Sequence, residues 1–542
     1  AEKFSTIDCL LKKSFTGYPE TRLTKAWENK IFPDHGWGGK HGDITDALFE
    51  AKYTSALSEA KQLTETALKS IASTIQTNNK KGIPVIVFNS LSWERTDPVS
   101  ITVNFDPSKA ASLKLYNGEG KEIAVQMSKA DYYTDGSLKS ATVCFIAEEI
   151  PSLGYKTFYL KPSLNKIPEE AADNNSVIEN AFYQIELTNG GIKQIRDKKL
   201  NVDLLKTDRY LGAEVFTMRS IGNGAGEFSD IQKPDAEGFD KLSNHTSKWV
   251  MTDNGPVYKA WKLRCPIRNA IVEQKIIVYT LLPKIDFEVS LLNWEGILYR
   301  EFRFALPLNT DNGKVAYEVP FGVVEVGKDE IHGSAGERYT TPCKDVHPRG
   351  IENWMSVSGN GFGVTLSSSV AVCDYLDPLN DNNKQSILQP ILIASRKSCH
   401  SEGNEYLQTG DHSFNFSLTS HAEGWKNGFR FGREANEKLI AMIAPTPFKN
   451  AFLPETLSFF SVSNPNIMVS TIKKSEDDND VVIRLFETEG ADCNLSLSSF
   501  FKFNKAQRTN LIEENGLSLP MTGKSLTVPV GHNSIETFKL EQ

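Results

Sequence analysis

The sequence predicts a mainly β protein with an α-helical segment at its N-terminal end. Two observations carry this prediction. Residues 20–78 place apolar side chains at helical spacing, whereas from Gly82 onward short β-branched and aromatic runs alternate with turn residues. The length of 542 residues adds a third observation, because at roughly 100–200 residues per domain it allows about three or four domains. We therefore expect a helical bundle followed by β-sandwich domains.

Two helices are predicted in the N-terminal segment. The first carries Leu23, Ala26, Trp27 and Ile31 at helical spacing, until a proline and a cluster of glycines interrupt the pattern. The second covers about residues 44–75, where the apolar side chains keep roughly to one face. Packing into a core explains that apolar face without any further role.

The remainder of the chain shows the strand pattern. The turn sequence Asn189-Gly190-Gly191 separates the runs Tyr183–Leu187 and Ile192–Ile195, which predicts a β-hairpin. Other runs with this pattern are Val85–Phe88, Val99–Phe105, Ala141–Ile146, Lys156–Leu160, Ile276–Leu282 and Val481–Phe486. Sandwiches are the expected architecture of such short strands.

Composition shifts divide the chain into four predicted segments. A polar stretch with two prolines at 161–176 is typical of a linker, and three prolines at 440–455 indicate the start of a last module. The predicted segments are a helical domain (1–80), a small β domain (81–165), a large β domain (173–440) and a C-terminal β-sandwich (441–542).

Composition and charge exclude several classes of function. With 39% hydrophobic and 10% aromatic residues, the chain is not expected to be disordered. Its net charge of −8 and the lack of a basic block argue against nucleic acid as a partner. No apolar run approaches the length that a membrane-spanning helix needs. The seven scattered cysteines contain no CxxC pair, which favours buried thiols over disulfides or a structural zinc site.

One candidate for chemistry is a glycine-rich stretch ahead of the long helix. His35 and His41 lie six residues apart there, each beside an aspartate or close to one. Imidazole and carboxylate groups are common ligands of divalent metals, but a metal site needs three or four ligands. By pattern alone, a structural loop whose histidines bond to the backbone is favoured over a partial metal site.

A second candidate is the polar cluster Asp345, His347 and Arg349, with Glu352 and Trp354 just beyond it. Aromatic faces stack on the C–H patches of sugar rings, and charged planar groups bind their hydroxyls. The cluster therefore suggests a sugar-binding surface. The alternative, which the pattern favours, is an ordinary turn between strands.

Several motifs follow one another in a fixed order between residues 20 and 540. They include Lys40-His41-Gly42-Asp43, Val87-Phe88-Asn89-Ser90-Leu91-Ser92-Trp93, Gly190-Gly191-Ile192, Tyr317-Glu318-Val319-Pro320-Phe321-Gly322, Asn353-Trp354 and Ser534-Ile535-Glu536-Thr537. Each motif is modest, but their collinear order resembles glycoside hydrolase family 38, the α-mannosidases.

The resemblance implies a fold and a chemistry. The large β domain would be a galactose-mutarotase-like super-sandwich. The family hydrolyses α-mannosides with retention, using an aspartate nucleophile and a second carboxylic acid that protonates the leaving oxygen. A zinc ion holds two hydroxyls of the sugar. By resemblance, one zinc ligand is His41, with His35 as the alternate, and the substrates are terminal α-mannosides of glycans.

One departure from the family pattern is large. Family members carry a catalytic barrel before the helical segment, which takes roughly 200 residues or more, whereas 40 residues precede His41 here. The chain also opens at Ala1 without an initiator methionine. We therefore expect a C-terminal part of such an enzyme that holds no catalytic residue and is inactive alone. Its partner would be its own N-terminal barrel, whose absence would expose an apolar interface that allows a homo-oligomer.

Two alternatives accompany this prediction. The chain is a non-catalytic carbohydrate-binding or scaffold module in the first. In the second it is a self-sufficient hydrolase with a site near Asp345, His347 and Glu352. The sequence leaves the compartment open between cytoplasm and periplasm.

Overall fold

The computed structural model describes residues 1–32, 42–165, 176–221, 234–330, 348–397 and 405–542. The described residues form four α-helices: α1 (Glu2–Lys12), α2 (Glu20–Lys30), α3 (Gly42–Ser73) and α4 (Phe429–Asn436). Two short 3-10 helices cover Leu242–Asn244 and Trp425–Asn427. None of the helices in these ranges is long and apolar enough to cross a membrane.

The described strands account for most of the chain. The first seven are β1 (Ile83–Asn89), β2 (Arg95–Asn104), β3 (Ser112–Asn117), β4 (Glu122–Ile123), β5 (Val125–Tyr132), β6 (Leu138–Ile150) and β7 (Gly154–Ser163). The next thirteen are β8 (Val177–Glu179), β9 (Tyr183–Thr188), β10 (Gly191–Asp197), β11 (Val202–Asp203), β12 (Glu214–Arg219), β13 (Asp235–Lys241), β14 (Val250–Asn254), β15 (Tyr258–Ile267), β16 (Ala270–Tyr279), β17 (Ile285–Trp294), β18 (Arg300–Asp311), β19 (Lys314–Val319) and β20 (Gly322–Glu325).

Nineteen more strands follow in the described residues. They are β21 (Arg349–Gly350), β22 (Trp354–Gly359), β23 (Phe362–Ser368), β24 (Val372–Asp374), β25 (Gln385–Ala394), β26 (Arg396–Lys397), β27 (Glu405–Tyr406), β28 (Gly410–Ala422), β29 (Ile440–Ile443), β30 (Thr456–Ser458), β31 (Phe460–Val462), β32 (Ile467–Lys474), β33 (Val481–Glu487), β34 (Cys493–Ser499), β35 (Lys505–Thr509), β36 (Leu517–Leu519), β37 (Met521–Thr522), β38 (Ser525–Val530) and β39 (Ile535–Glu541).

The chain forms two compact units. Unit 1 comprises Ala1–Asp34, Leu48–Glu169 and Glu437–Gln542, and unit 2 comprises His35–Ala47 and Glu170–Asn436. Unit 1 is thus assembled from separated parts of the sequence, whereas almost all of unit 2 is continuous. The four predicted segments stay a prediction. The predicted linker at 161–176 lies largely outside the described residues.

In unit 1, strands from distant parts of the chain share one sheet. The six-stranded sheet has the order β29-β1-β7-β3-β4, with β30 also paired to β7. β1 is buried on both faces: Val85 and Val87 pack toward the three-stranded sheet β2-β6-β5, whereas Ile86 and Phe88 enter a second core. This double burial explains why the sequence of β1 is an unbroken apolar run.

The second core of unit 1 joins its helices to its last strands. Phe4 of α1 and Ile71 of α3 lie in the same buried cluster as residues of the C-terminal sandwich. That sandwich pairs the sheet β31-β34-β38-β37 with the sheet β32-β33-β39-β35-β36. Leu495 of the first sheet and Ile483 of the second are fully buried in the shared core.

Unit 2 is a large antiparallel β assembly. Its main sheet has nine strands in the order β14-β15-β16-β17-β28-β23-β22-β19-β20, and a six-stranded sheet has the order β13-β12-β18-β25-β24-β21. A smaller sheet contains β11-β10-β9-β8. One large core fills the space between these sheets, with stacked aromatic rings at Phe304 and Phe416, whose centroids lie 4.8 Å apart. The helix α4 packs on β22 and β23.

The predicted fold class is confirmed: a mainly β chain with an N-terminal helical segment and several sandwich sheets, including a large super-sandwich. Both predicted helices are present as α2 and α3. The predicted hairpin is confirmed, since Gly191 of β10 pairs with Thr188 of β9. Two helices, α1 and α4, were not predicted. The core-packing interpretation holds only for the second half of α3, because Ile44, Leu48 and Leu57 are exposed.

Candidate functional site

The predicted site residues fall into two groups. His35 and His41, the predicted metal ligands, lie outside the described residues, and so do Asp345 and His347. Arg349, the first described residue of the second cluster, begins the two-residue strand β21 in unit 2. Glu352 lies just before β22, which Trp354 begins. The candidate site is therefore built around these three residues and the strands β19 and β22.

Arg349 is held in an ion pair below the surface. Its Nε donates a 2.8 Å hydrogen bond to Oε1 of Glu330, and both side chains are about nine-tenths buried. Burial disfavours the guanidinium charge, but the hydrogen bond and charge of Glu330 outweigh burial, so the pKa of Arg349 is raised. Burial also raises the pKa of the neighbouring Tyr375 to about 12, and the Arg349 guanidinium lies 5.8 Å from its ring centroid.

Glu352 belongs to a second group that shares one arginine. Nη1 of Arg433 on α4 donates to Oε1 of Glu318 at 3.2 Å and to Oε1 of Glu352 at 3.1 Å. The Glu318 side chain is almost fully buried, whereas 39% of the Glu352 side chain is exposed. The backbone reinforces the arrangement, because Glu352 N donates to Glu318 O at 2.9 Å.

Trp354 lies in the interior of unit 2. Its side chain is fully buried, with ring centroids 6.2 Å from Trp425 and 6.0 Å from Phe429. A Cβ at Gly432 would lie 2.3 Å from the Trp354 ring, so α4 approaches this tryptophan as closely as a glycine permits. The sequence suggested that Trp354 stacks on a sugar ring. In this structure neither face of its ring is exposed to solvent, and the side chain packs in the interior.

Two partners of this site were not among the predicted residues. Glu318 stands in the motif Tyr317–Gly322, so the sequence held a signal for it, although nothing there separated it from many other acidic residues. Arg433 comes far beyond Glu352 in the sequence, and the chain carries no local signal for their pairing. The short helix α4 that positions Arg433 was missed for the same reason.

The arrangement suits hydroxyl binding better than acid–base chemistry. A retaining glycosidase needs two carboxyl groups about 5–5.5 Å apart, one ionised and one protonated. Glu318 and Glu352 instead both accept hydrogen bonds from one guanidinium, that of Arg433. The partly exposed Glu352 can accept hydrogen bonds from a sugar hydroxyl, with the charge of Arg433 beside it. Within the described ranges, no group of three or more His, Cys, Asp or Glu side chains could hold a metal ion.

One of the sequence motifs has a clear structural role. In Val87–Trp93, the buried Asn89 donates from Nδ2 to the carbonyl oxygens of Trp93 at 2.8 Å and Ile150 at 3.2 Å. Its Oδ1 accepts from the backbone of Leu91 at 3.0 Å. This asparagine therefore closes the turn after β1, and the motif serves the fold rather than chemistry.

Comparisons with known families match two regions of the chain. Residues 178–371 match the family described as "Glycosyl hydrolases family 38 C-terminal domain". Residues 466–538 match the "Glycosyl hydrolases family 38 C-terminal beta sandwich domain". The first region lies in unit 2 and the second in unit 1.

Individual proteins show the same likeness. The chain is 24% identical over 465 residues to "Alpha-mannosidase G" of Dictyostelium discoideum, covering 80% of this chain and 39% of that protein. It is 24% identical over 370 residues to "Alpha-mannosidase 2C1" of Homo sapiens, covering 64% of this chain and 32% of that protein. The chain thus spans 32–39% of the length of these relatives.

A solved structure shares the fold along the whole chain. The crystal structure of an alpha-mannosidase from Enterococcus faecalis V583 matches 100% of this chain and 65% of that one, with a TM-score of 0.75 and 14% identity. The matched domains, their order and the fold agree with one another. Residues 178–371 and 466–538 are therefore similar to two C-terminal domains of glycosyl hydrolase family 38.

Proposed function

We propose that the chain is the C-terminal part of a zinc-dependent retaining α-mannosidase that hydrolyses terminal α-mannosides of glycans, and that the chain is inactive by itself. The observation that carries this proposal is the ordered match to two C-terminal domains of the family in a chain that spans less than half of its relatives. The names of the relatives support an α-mannosidase substrate class.

The exposed apolar side chains of α2 and α3 in unit 1 support the proposal of a partner domain. α2 and α3 are joined by the ion pair Arg22–Glu59, and Lys52 of α3 makes a cation–π contact with Phe32, just after α2, at 4.0 Å from its ring centroid. Large apolar side chains nevertheless remain in solvent on these helices, namely Trp27, Ile31, Leu48, Tyr53 and Leu57. An exposed apolar surface of this kind is typical of a protein–protein or interdomain contact. We propose that it receives the catalytic barrel.

The chain's own contribution to such an enzyme would be binding and support. His41, with His35 as the alternate, would supply one ligand to a zinc ion completed by the barrel, and zinc when bound would hold sugar hydroxyls. In unit 2, Glu352 would accept a hydrogen bond from a sugar hydroxyl while the ion pair with Arg433 holds its carboxylate in place. The nucleophile and the general acid would come from the barrel.

Turnover of a nitrophenyl α-mannoside tests this proposal. We expect no turnover by this chain with added zinc, and turnover by a longer protein that carries the chain behind a barrel. In that longer protein His41→Ala should lower both bound zinc and activity, whereas in the chain alone the zinc content should change little. Activity of the isolated chain that disappears in Glu352→Gln would contradict the proposal and favour a site in the β domains.

A non-catalytic glycan-binding module is the second candidate, favoured by the partly exposed Glu352 beside Arg433. Titration with a mannose-containing oligosaccharide, followed by calorimetry, tests it. Glu352→Gln should weaken binding about tenfold, because a hydrogen bond to a charged group is worth roughly 1.5–3 kcal/mol. Glu288→Gln, at an exposed strand position of β17, is the matched control and should bind as the wild type does. A flat titration of the wild-type chain would count against this candidate.

A further inference from the structure

A surface cavity of about 170 Å³ lies in unit 2, between the hairpin β9–β10 and the segment that leads into β14. Its apolar wall is formed by Leu187, Trp249, Met251 and Trp261. Ser176 and Lys248 also line the cavity, and both are exposed. An aromatic wall with a few polar groups is typical of small-molecule sites. The volume lies below the roughly 300–1,000 Å³ of pockets for drug-sized ligands, so the cavity suits a single ring.

Asn189 fixes the two sides of the cavity relative to each other. Its Nδ2 donates to the carbonyl oxygens of Ser243 at 3.1 Å and His245 at 2.7 Å, and its Oδ1 accepts from the backbone nitrogen of Ser247 at 2.7 Å. A Cβ at Gly190, which has φ +84°, would lie 2.5 Å from the backbone nitrogen of Ser243. The hairpin therefore packs on the segment that leads into β14 as closely as a glycine permits, and the cavity is preformed by the fold.

The two tryptophans of the wall differ in their hydrogen bonds. Nε1 of Trp249 donates to the carbonyl oxygens of Thr188 at 3.0 Å and Gly191 at 3.3 Å, which holds the edge of this partly buried ring against the hairpin. Trp261 is only 3% exposed, and among the residues that the structure describes its Nε1 has no hydrogen-bond partner. A buried donor without an acceptor is unfavourable, so the fold leaves one polar group of the wall unsatisfied.

We propose that this cavity binds a single pyranose ring of a glycan, apart from the pair Glu352–Arg433 and beyond the proposed glycosidase function. The C–H face of the sugar packs on the ring of Trp249, because the negative face of an indole attracts polarised C–H groups. Hydroxyls at the edge of the sugar accept hydrogen bonds from Lys248, and one of them supplies the acceptor that Nε1 of Trp261 lacks. A fully apolar ring would leave that nitrogen unsatisfied.

Titration of the whole chain with methyl α-mannoside, methyl β-galactoside and N-acetylglucosamine, followed by saturation-transfer NMR, tests the site. At least one of the three sugars should bind the wild type saturably. Trp249→Ala should weaken this binding at least about tenfold, because aromatic anchors supply much of the energy of a binding site. Lys248→Ala should weaken it severalfold through the loss of a donor. Lys384→Ala, at another exposed lysine of unit 2, is the matched control and should bind as the wild type does.

Two further measurements separate a sugar site from general apolar binding and from a folding defect. Cyclohexanol, a ring with one hydroxyl, should bind at least about tenfold more weakly than the best of the three sugars, because a site built for hydroxyls rejects a ligand that lacks them. Ser176→Phe fills the rim from an exposed position, so it should abolish binding while near-UV circular dichroism stays that of the wild type.

Three results would overturn the proposal. They are no binding of any of the three sugars, equally tight binding of cyclohexanol, and sugar binding that Lys248→Ala and Ser176→Phe leave unchanged. If that unchanged binding disappeared in Glu352→Gln, it would belong to the other candidate site. The proposed glycosidase function is measured by turnover in a longer protein and does not depend on these outcomes.

Discussion

At the scale of single residues, the clearest case of a buried charge compensated inside unit 2 is Arg303. Its guanidinium is fully buried, pairs with Glu301, and donates from Nη1 to Oδ2 of Asp374 at 2.7 Å. Arg396 donates to the other oxygen of Glu301 at 2.7 Å. Burial would raise the pKa of Glu301, but the charges of Arg303 and Arg396 outweigh burial and lower it.

Arg303→Met should therefore destabilise unit 2 strongly and in a pH-dependent way. Removing one partner of a buried ion pair costs about 3–5 kcal/mol. Because the folded pKa of Glu301 is lowered, its contribution in the wild type is complete above the ordinary value of 4.5 and is lost as the pH falls through the lowered value. In the variant, burial dominates and the carboxyl prefers to be protonated. The deficit relative to the wild type should thus be largest near neutral pH and shrink in acid.

Urea denaturation of both proteins at pH 7.5 and pH 5 measures this difference. Arg264→Met removes an exposed ion pair and is the control, with an expected change of about 1 kcal/mol or less. Equal destabilisation at both pH values would show that Arg303 acts by packing and not by charge.

The same scale shows how far the site could be predicted. Glu352 and Arg349 were named from the sequence because polar residues cluster there, and both do form ion pairs. The sequence leaves two interpretations of Trp354 open, because a tryptophan beside charged residues is equally compatible with stacking in solvent and with packing under a helix. Only the position of α4, which a distant part of the chain supplies, decides between the two.

At the scale of elements, α3 has two different halves although its sequence pattern is continuous. Ile71 in the second half is fully buried in the core of unit 1, while Leu57 in the first half is largely exposed. Periodicity indicates which face of a helix is apolar, but it does not show how much of that face is covered. The sequence therefore predicted α3 but not its exposed half.

Substitutions in the two halves should differ in effect. Ile71→Ala should cost about 2–5 kcal/mol, as for other large-to-small changes in a core. Leu57→Ser, at an exposed position, should change stability by less than about 1 kcal/mol in this chain. It should also reduce self-association at high concentration, measured by sedimentation velocity. A large loss of stability in Leu57→Ser would mean that the first half of α3 is already packed against something in solution.

At the scale of the whole molecule, unit 1 needs both ends of the chain. β29 and β30 complete the sheet that β1 and β7 begin, with Val85 opposite Ile443 and Gly154 opposite Ser458. A Cβ at Gly154 would lie 2.1 Å from the carbonyl oxygen of Leu457, so the close contact with β30 requires this glycine. Strand patterns in the sequence predicted β1 and β7 but neither β29 nor β30. They could not predict which strands pair, because pairing between such distant parts of the chain leaves no local signal.

A chain that ends at Asn436 should consequently lose unit 1 and keep unit 2. The truncation removes β29–β39 and with them more than half of the buried cluster that holds α1 and α3. Calorimetry of the truncated chain should show one remaining unfolding transition, that of unit 2. The near-UV circular dichroism spectrum of the truncated chain should resemble that of a 176–436 fragment. Two surviving transitions would show that the helices and β1–β7 fold without the C-terminal strands.

The return of β29 and β30 also sets an order of events during synthesis. Domains generally fold as units from the N-terminus while the ribosome adds roughly 5–20 residues per second. Unit 1 cannot follow that order, because the whole Glu170–Asn436 insert must be made first, which takes on the order of 15–50 s. During this interval the apolar strand β1 lacks its partner strand β29, while the insert can already fold. Synthesis of unit 1 thus starts before that of unit 2 and ends after it. Its early strands are therefore the part of the chain for which we expect the strongest dependence on chaperones.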